Sequence, residues 1–363
     1  STSRGLGDVY KRQDMDKYIK ELQEVLNKYK SLGISEQIDY SKFYLYSIIT
    51  HSTAIEGSTV TEIENQLLFD EGISAKGRPM VEQLMNLDLK RAYDQSILWA
   101  EEHKAFSVDM LKSLSALVMK NTGSLYSTLQ GDFDSSKGDL RLVGVTAGSG
   151  GRSYMNYLKV PSRLTDFCNA INQRREILMQ HPNDIDAYLL SFDAHNILVA
   201  IHPWVDGNGR MSRLIMNHLQ FEFGLVPSKV ITEDKAAYIE ALNASREEES
   251  MLPFQCFMLN EHTKNLRAEI VEYEKSINDD VIINVGKEDH NVGKEIYSKL
   301  TERQKNIISV IMLNPTITIP ELAEKMSGKK TITTRTIERD IAYLQAKGLL
   351  RREGGRKNGK WVI

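Results

Sequence analysis

The sequence predicts a mainly α protein with one short β segment near its middle and a second, smaller domain at its C-terminus. Three observations carry this. Apolar residues recur at spacings of three and four along most of the chain, the period of a helix with one buried face. Glycines and alternating apolar residues gather in a single stretch, Gly131 to Pro161 (GDFDSSKGDLRLVGVTAGSGGRSYMNYLKVP), which reads as a loop followed by a short hairpin. After Ile277 the periodicity lapses, and beyond Leu300 the charge balance turns basic.

A chain of 363 residues exceeds one ordinary core, so two or three domains are expected. With 41% hydrophobic and 26% charged residues it has the composition of a soluble globular protein. A net charge of -3 gives no overall attraction to nucleic acid or membrane, so any such affinity must be local. No apolar run approaches the roughly 20 residues that span a bilayer, and the start lacks the apolar core of a signal peptide. Cys168 and Cys256 lie in helical surroundings without metal-ligand spacing, which predicts two buried thiols and a reducing, cytoplasmic setting.

The elements follow in order. Ser1 to Gln13 (STSRGLGDVYKRQ) do not resemble the helical sequence after them, and Asp8 to Gln13 back-translate as a transposon end used in preparing sequencing libraries. The segment is therefore expected to be non-native and is set apart from the fold. From Met15, the positions Ile19, Leu22, Leu26 and Tyr29 predict an amphipathic helix to about Leu32. A second helix covers roughly Tyr40 to Glu56 and stops at Gly57, a residue that can take the left-handed C-terminal conformation. Helical patterns continue from Glu62 to Leu125 and from Ser162 to Glu274. The expected domains are a helical N-terminal region over 14–110, a core over 111–277, a linker over 278–299 and a C-terminal domain over 300–363.

The chemistry concentrates in one loop. Ala187, Leu190, Ala194, Leu198 and Ile201 form one helical stripe, Leu214, Ile215, Leu219 and Phe223 another, and His202-Pro-Trp-Val-Asp-Gly-Asn-Gly-Arg210 joins them. The loop therefore ends at a helix N-terminus, where unpaired amides and a partial positive charge favour an anion. Gly207 and Gly209 let backbone approach a phosphate closely. Arg210 and Arg213, three apart, can add forked charge-assisted bonds. Asp206 is a hard oxygen ligand suited to Mg²⁺ beside phosphates. His202 is the one side chain of the loop whose ordinary pKa suits proton removal near neutrality. Each residue alone has a bland reading, as helix end, turn or solvated face; together they point to nucleotide chemistry.

HPWVDGNGR followed by Arg213 resembles the signature of the Fic family, His-Pro-Phe-x-Asp-Gly-Asn-Gly-Arg-x-x-Arg, with Trp204 in place of the usual Phe. AHNILVAI before it and PSKVITEDKAAYIEAL after it are similar to the family's flanks, so the resemblance covers about residues 40–274. It implies a helical core with a small hairpin flap, placed near Arg152 to Val160, that transfers AMP from ATP to a protein hydroxyl. On that resemblance His202 is the catalytic base and Asp206 the Mg²⁺ ligand. Gly207, Asn208, Gly209, Arg210 and Arg213 bind phosphates, and Asn217 and Tyr238 are positions for the nucleotide pocket wall. The target would be an unknown protein, or the chain itself.

Upstream, Ser52-x-x-x-Glu56-Gly57 places Ser52 and Glu56 on one face of a helix end. By itself this is a common spacing and Gly57 an ordinary cap. It is similar to the family's inhibitory motif, which implies that Glu56 pairs with Arg213 and holds the wild type in a weakly active state.

From Leu300, LTERQKNIISVIMLNP, ITIPELAEKM and TTRTIERDIAYLQAKGLL predict three helices and RREGGRKNGKWVI a wing hairpin, together a winged helix-turn-helix with Thr333, Thr334, Arg335 and Arg339 on or near its recognition helix. Residues 301–363 carry 13 Lys/Arg against 6 Asp/Glu, an excess of seven positive charges that suits DNA phosphates; a protein-contact role is the alternative. The module resembles winged helices at the C-termini of some bacterial Fic proteins. Two functions therefore stand, an autoinhibited adenylyltransferase and a DNA-binding regulator whose core senses nucleotide.

Overall fold

The computed structural model describes residues 2–147, 151–284, 300–326, 332–347, 349–353 and 359–362. The chain divides into two compact units, residues 1–273 and 274–363, and no described helix is long and apolar enough to cross a membrane.

The first unit is helical apart from one hairpin. Its helices are α1 (Thr2–Ser31), α2 (Phe43–Ile55), α3 (Glu62–Asp70), α4 (Met80–Glu101), α5 (Val108–Val118), α6 (Val160–Gln180), α7 (Asp184–Ile201), α8 (Asn208–Glu222), α9 (Lys235–Glu247) and α10 (Leu252–Asn284), the last running on into the second unit's residues. Their starts are written locally. Thr61 and Glu64 close a capping box on α3, Ser107 accepts from the Met110 amide, and Asn183 accepts from the Asp186 amide, each satisfying amides that have no partner within the helix.

Helix α7 is buried along most of its length and lies at the centre, packed on α8 with α4, α5 and α6 beside them. Leu190, Ala194, Leu198, Leu214, Ile215 and Leu219 are fully buried there, as a central helix requires. Leu22, Leu26 and Tyr29 of α1 join the same core.

Five expectations are corrected. Helix α1 begins at Thr2, ahead of the start expected at Met15. The β segment starts earlier than expected: β1 (Leu125–Thr128) pairs antiparallel with β2 (Gly131–Asp134), Tyr126 opposite Phe133. The flap is displaced in the same direction. The chain doubles back between 145–147 and 152–154, with Tyr154 donating to the Val145 carbonyl at 2.9 Å and Ala147 to Arg152 at 3.2 Å, whereas Tyr157–Lys159 is a short 3-10 turn leading into α6. Helix α10 continues to Asn284, so the first part of the expected linker is helical; residues 285–299 of it lie outside the described residues. Of the two thiols, Cys168 is buried but Cys256 is only half-buried.

The second unit holds α11 (Glu302–Leu313), α12 (Ile319–Met326), α13 (Thr334–Ala346) and an antiparallel pair, β3 (Arg351–Glu353) with β4 (Lys360–Val362). Ile307, Ile311, Leu322, Ile337, Ile341 and Leu344 form its core. Trp361 pins β4 to that core, its backbone amide donating to Pro315 at 2.7 Å and its indole to Ile317 at 2.9 Å. On the buried side of α13, Asp340 accepts from Arg303 at 2.5 Å. The order of three helices and a terminal hairpin is the one the sequence predicts.

Candidate active site

The α7–α8 loop is fixed from three sides. Trp204 is fully buried, with its indole donating to the Gly138 carbonyl at 3.2 Å. Asn208 turns its carboxamide inward: Oδ1 accepts from the Trp204 amide at 3.1 Å and Nδ2 donates to the Trp204 carbonyl at 2.9 Å. The third anchor is Arg141, whose guanidinium is buried without a carboxylate partner among the described residues. It donates to the carbonyls of His202 at 2.7 Å, Val143 at 2.7 Å and Met155 at 2.5 Å, tying the loop to the flap.

These restraints hold His202 in the left-handed region, φ 50° and ψ 64°, a conformation that costs a non-glycine residue energy and persists only where surroundings impose it. Its imidazole lies on the Tyr154 ring, centroids 3.7 Å apart and planes 16° from parallel. Burial pushes the ring's pKa down to about 4, with the Val199 backbone opposing and the Arg141 and Arg246 charges assisting. The ring is therefore neutral near pH 7, the state a proton acceptor requires.

Beyond the loop, α8 presents its first turn. Gly207 takes φ 78°, and the Asp206 carboxylate, 63% exposed, caps the Gly207 amide at 2.6 Å. Arg210 is buried and poorly served: its contacts to the Val118 carbonyl and Met119 sulfur are 3.4 and 3.2 Å, Asp206 is 3.8 Å away, and its Nε has no hydrogen-bond partner. A buried guanidinium left this way favours an anion.

Arg213 is the opposite case. Its Nε donates to Ser52 Oγ at 2.8 Å, Nη2 to the Ser52 carbonyl at 2.9 Å and to Glu56 Oε1 at 2.6 Å, and Nη1 to the Tyr238 hydroxyl at 3.2 Å. Burial alone would raise the Glu56 pKa; Arg213, with Arg210 and Lys235 adding to it, holds it below the usual carboxylate range instead. Glu56 Oε1 also crowds the first turn of α8, where a Cβ on Gly209 would stand 2.5 Å from it. A carboxylate thus fills part of the anion cradle.

Three expected site residues have other work. The Asn208 side chain is consumed by Trp204, so only its backbone amide is available to a phosphate. Asn217 is buried and engaged by Tyr93, Gln220 and the Ser228 carbonyl. Tyr238 is buried between Arg213 and His195, whose Nε2 is 2.9 Å from its hydroxyl. Asn217, with Ser52 and Arg213, lines a small cavity, whereas Tyr238 is not among the residues lining it. Ser52, Glu56 and Arg213 do converge, and Gly57 follows them with φ 105°. Sequence reasoning missed Arg141, Tyr154 and Arg246. A lone Arg or Tyr in a glycine-rich loop, or one Arg in the last turn of α9, has no periodic signal, and only the folded chain brings them to the base.

Residues 105–220 match the Fic/DOC family model. The chain carries a Fic/DOC family domain. The match ends inside α8 and includes the whole α7–α8 loop. The chain is 24% identical over 234 residues to the protein adenylyltransferase fic-1 of Caenorhabditis briggsae, 63% of this chain and 42% of that protein. It is 26% identical over 197 residues to the protein adenylyltransferase Fic of Nematostella vectensis, 54% of this chain and 42% of that protein. It therefore spans less than half the length of these curated relatives. Among solved structures, Caenorhabditis elegans Fic-1 superposes with a TM-score of 0.55 at 19% identity, covering 76% of each chain. A Fic family protein of Desulfovibrio desulfuricans gives 0.58 at 16% identity, covering 96% of this chain and 95% of that one. These likenesses establish the Fic fold, including over residues outside the family match.

Proposed function

We propose that the Fic domain is a protein adenylyltransferase, moving AMP from ATP to a Ser, Thr or Tyr hydroxyl and releasing pyrophosphate. The observation that supports it most directly is the neutral, backbone-fixed His202 at one end of a loop whose other end is an anion cradle. In this reading the imidazole takes the acceptor's proton as the acceptor oxygen bonds to the α-phosphorus, and the bond from that phosphorus to the pyrophosphate oxygen breaks. The α8 amides and Arg210 hold phosphate oxygens, so most of the barrier reduction comes from positioning and charge neutralisation. Asp206, exposed and tied only to its neighbouring amide and, loosely, to Arg210, suits Mg²⁺ shared with the nucleotide. That ion would neutralise charge on the leaving pyrophosphate.

The same reading makes the Glu56–Arg213 pair a brake. Arg213 is the second guanidinium of the motif, and in this conformation Ser52, Glu56 and Tyr238 use its donors. A phosphate would have to displace a carboxylate that carries charge of the same sign. Replacing Glu56 with Gly is expected to raise transfer of labelled AMP at least about tenfold, a barrier change of about 1.4 kcal/mol. His202→Ala in the same background should abolish transfer. Glycine variants as inactive as wild type would remove the brake.

For the second unit a DNA contact is the reading we favour. Thr334, Arg335 and Arg339 lie exposed on the outward side of α13, opposite buried Ile337, Asp340 and Ile341. A fluorescence titration with duplex DNA should give affinity that falls steeply between low and moderate salt. Absence of binding at low salt would eliminate DNA and leave protein contact.

A further inference from the structure

We propose that Tyr154 is a positioning residue for His202, its ring setting the plane in which the base meets the acceptor hydroxyl. The proposal rests on the adenylyl-transfer reading for its purpose, though not for its geometry.

A general base normally has its second ring nitrogen held by a hydrogen bond that fixes tautomer and tilt. In His202, Nδ1 is buried and meets no hydrogen-bond partner in good geometry, the Val199 backbone being the nearest polar influence on the ring. The torsion that rotates an imidazole is broad, so backbone restraints on His202, the left-handed φ and the Arg141 bond to its carbonyl, leave the ring unfixed. The contact that constrains the ring is its face, laid on Tyr154.

Tyr154 is itself well held. Its amide bonds to the Val145 carbonyl. The Arg246 guanidinium carbon stands 4.5 Å from its ring centroid, while Nη2 of the same group donates to the carbonyls of Arg152, at 3.1 Å, and Ser153. Arg246 from α9 thus clamps both the ring and the backbone just before it, and the order passes from α9 through the flap to the base. No contact links Tyr154 to Arg210, Arg213 or the α8 amides in the described residues, so the effect belongs to the chemical step and not to nucleotide binding.

The test uses the Glu56→Gly protein with magnesium and ATP, carrying Tyr154→Phe, Tyr154→Leu or Arg246→Ala. Tyr154→Leu is expected to lower kcat at least about tenfold with the KM for ATP within about twofold, and Tyr154→Phe to restore kcat to within about twofold of the parent. Arg246→Ala, which removes the clamp and one of the charges that help keep His202 neutral but leaves the Tyr154 ring in place, should fall between them. A Leu variant with parental kcat, or a Phe variant as impaired as Leu, overturns the proposal. An arm independent of activity reads the His202 ring protons by NMR in the resting protein. A stacked ring shields them, Leu should release the shielding and Phe should keep it, and equal shifts in all three proteins contradict the stack. If Glu56→Gly transfers no AMP at all, the adenylyl-transfer reading fails while this arm still decides whether Tyr154 orders the base.

Discussion

Single residues separate cleanly into those that hold the loop and those left open for a ligand. Asn208 belongs to the first group. Asn208→Ala strands the Trp204 amide and carbonyl in a buried site at a cost of about 2 kcal/mol, which should lower the melting temperature by several degrees. Asp206→Ala, at an exposed carboxylate, should leave melting within about a degree and still reduce transfer. Parallel thermal scans distinguish the two, and equal destabilisation would mean that the loop is held differently. Glu56 gives a pH prediction. A carboxyl whose folded pKa is depressed keeps its stabilising pair above the ordinary carboxylate range and loses it only as pH falls through the lower folded value. Basal activity of the wild type should therefore not rise between pH 8 and pH 5, and an acid-activated enzyme would contradict the pair. Much of this was legible from His202 to Arg213, because a base, a carboxylate, glycines and guanidiniums in one short loop have few joint uses. The inward turn of Asn208 was not, since an amide side chain reads the same whether it grips a phosphate or its own backbone.

Among the elements, α2 bears on the site most directly, because it carries Ser52 and, at its C-cap, Glu56 to Arg213. A polar network holds it in place. Asn86 of α4, wholly buried, accepts from Thr53 at 2.8 Å and from Asn65 at 2.9 Å and donates to Ser58 at 3.1 Å. Although Asn65 Oδ1 has no hydrogen-bond partner, a buried network of this kind favours one arrangement and is costly to break. Asn86→Ala should lower stability by roughly 2–3 kcal/mol and raise basal AMP transfer by releasing α2, a pairing of effects that simple unfolding does not give. Reduced stability with unchanged or lower transfer would separate α2 from control. Periodicity located α2, α7 and α8 well, since each buries a helical stripe. It misplaced the β segment and flap, because alternation over three or four residues beside several glycines is too short to set a register, and Arg141 with Pro203 decides where the flap meets the loop.

At the scale of the molecule, the first unit buries histidines it must keep neutral. Desolvation lowers His195 well below its ordinary range, His202 to about 4, and His218 and His262 to about 3. Below about pH 6.5 the unfolded chain binds protons that the native unit refuses, so stability falls with pH from there toward each folded value. Burial raises Asp88, Asp193 and Glu261 and opposes this only at the acid end. Thermal scans should show the melting temperature of the first unit dropping steeply between pH 6.5 and 5, and a flat profile would mean that these rings gain partners in solution. The division into a helical core and a basic C-terminal unit was legible from composition and charge, whereas the run of α10 to Asn284 was masked by the loss of apolar period beyond Ile277. The account as a whole rests on a Fic domain competent for adenylyl transfer and restrained by one ion pair. It is tested most directly by intact-mass analysis of wild type, Glu56→Gly and Glu56→Gly/His202→Ala proteins after incubation with magnesium and ATP, alone and with a cell extract as acceptor. The account predicts covalent AMP formed by Glu56→Gly, little by wild type and none by the double variant; equal labelling of all three, or none in any, would contradict it.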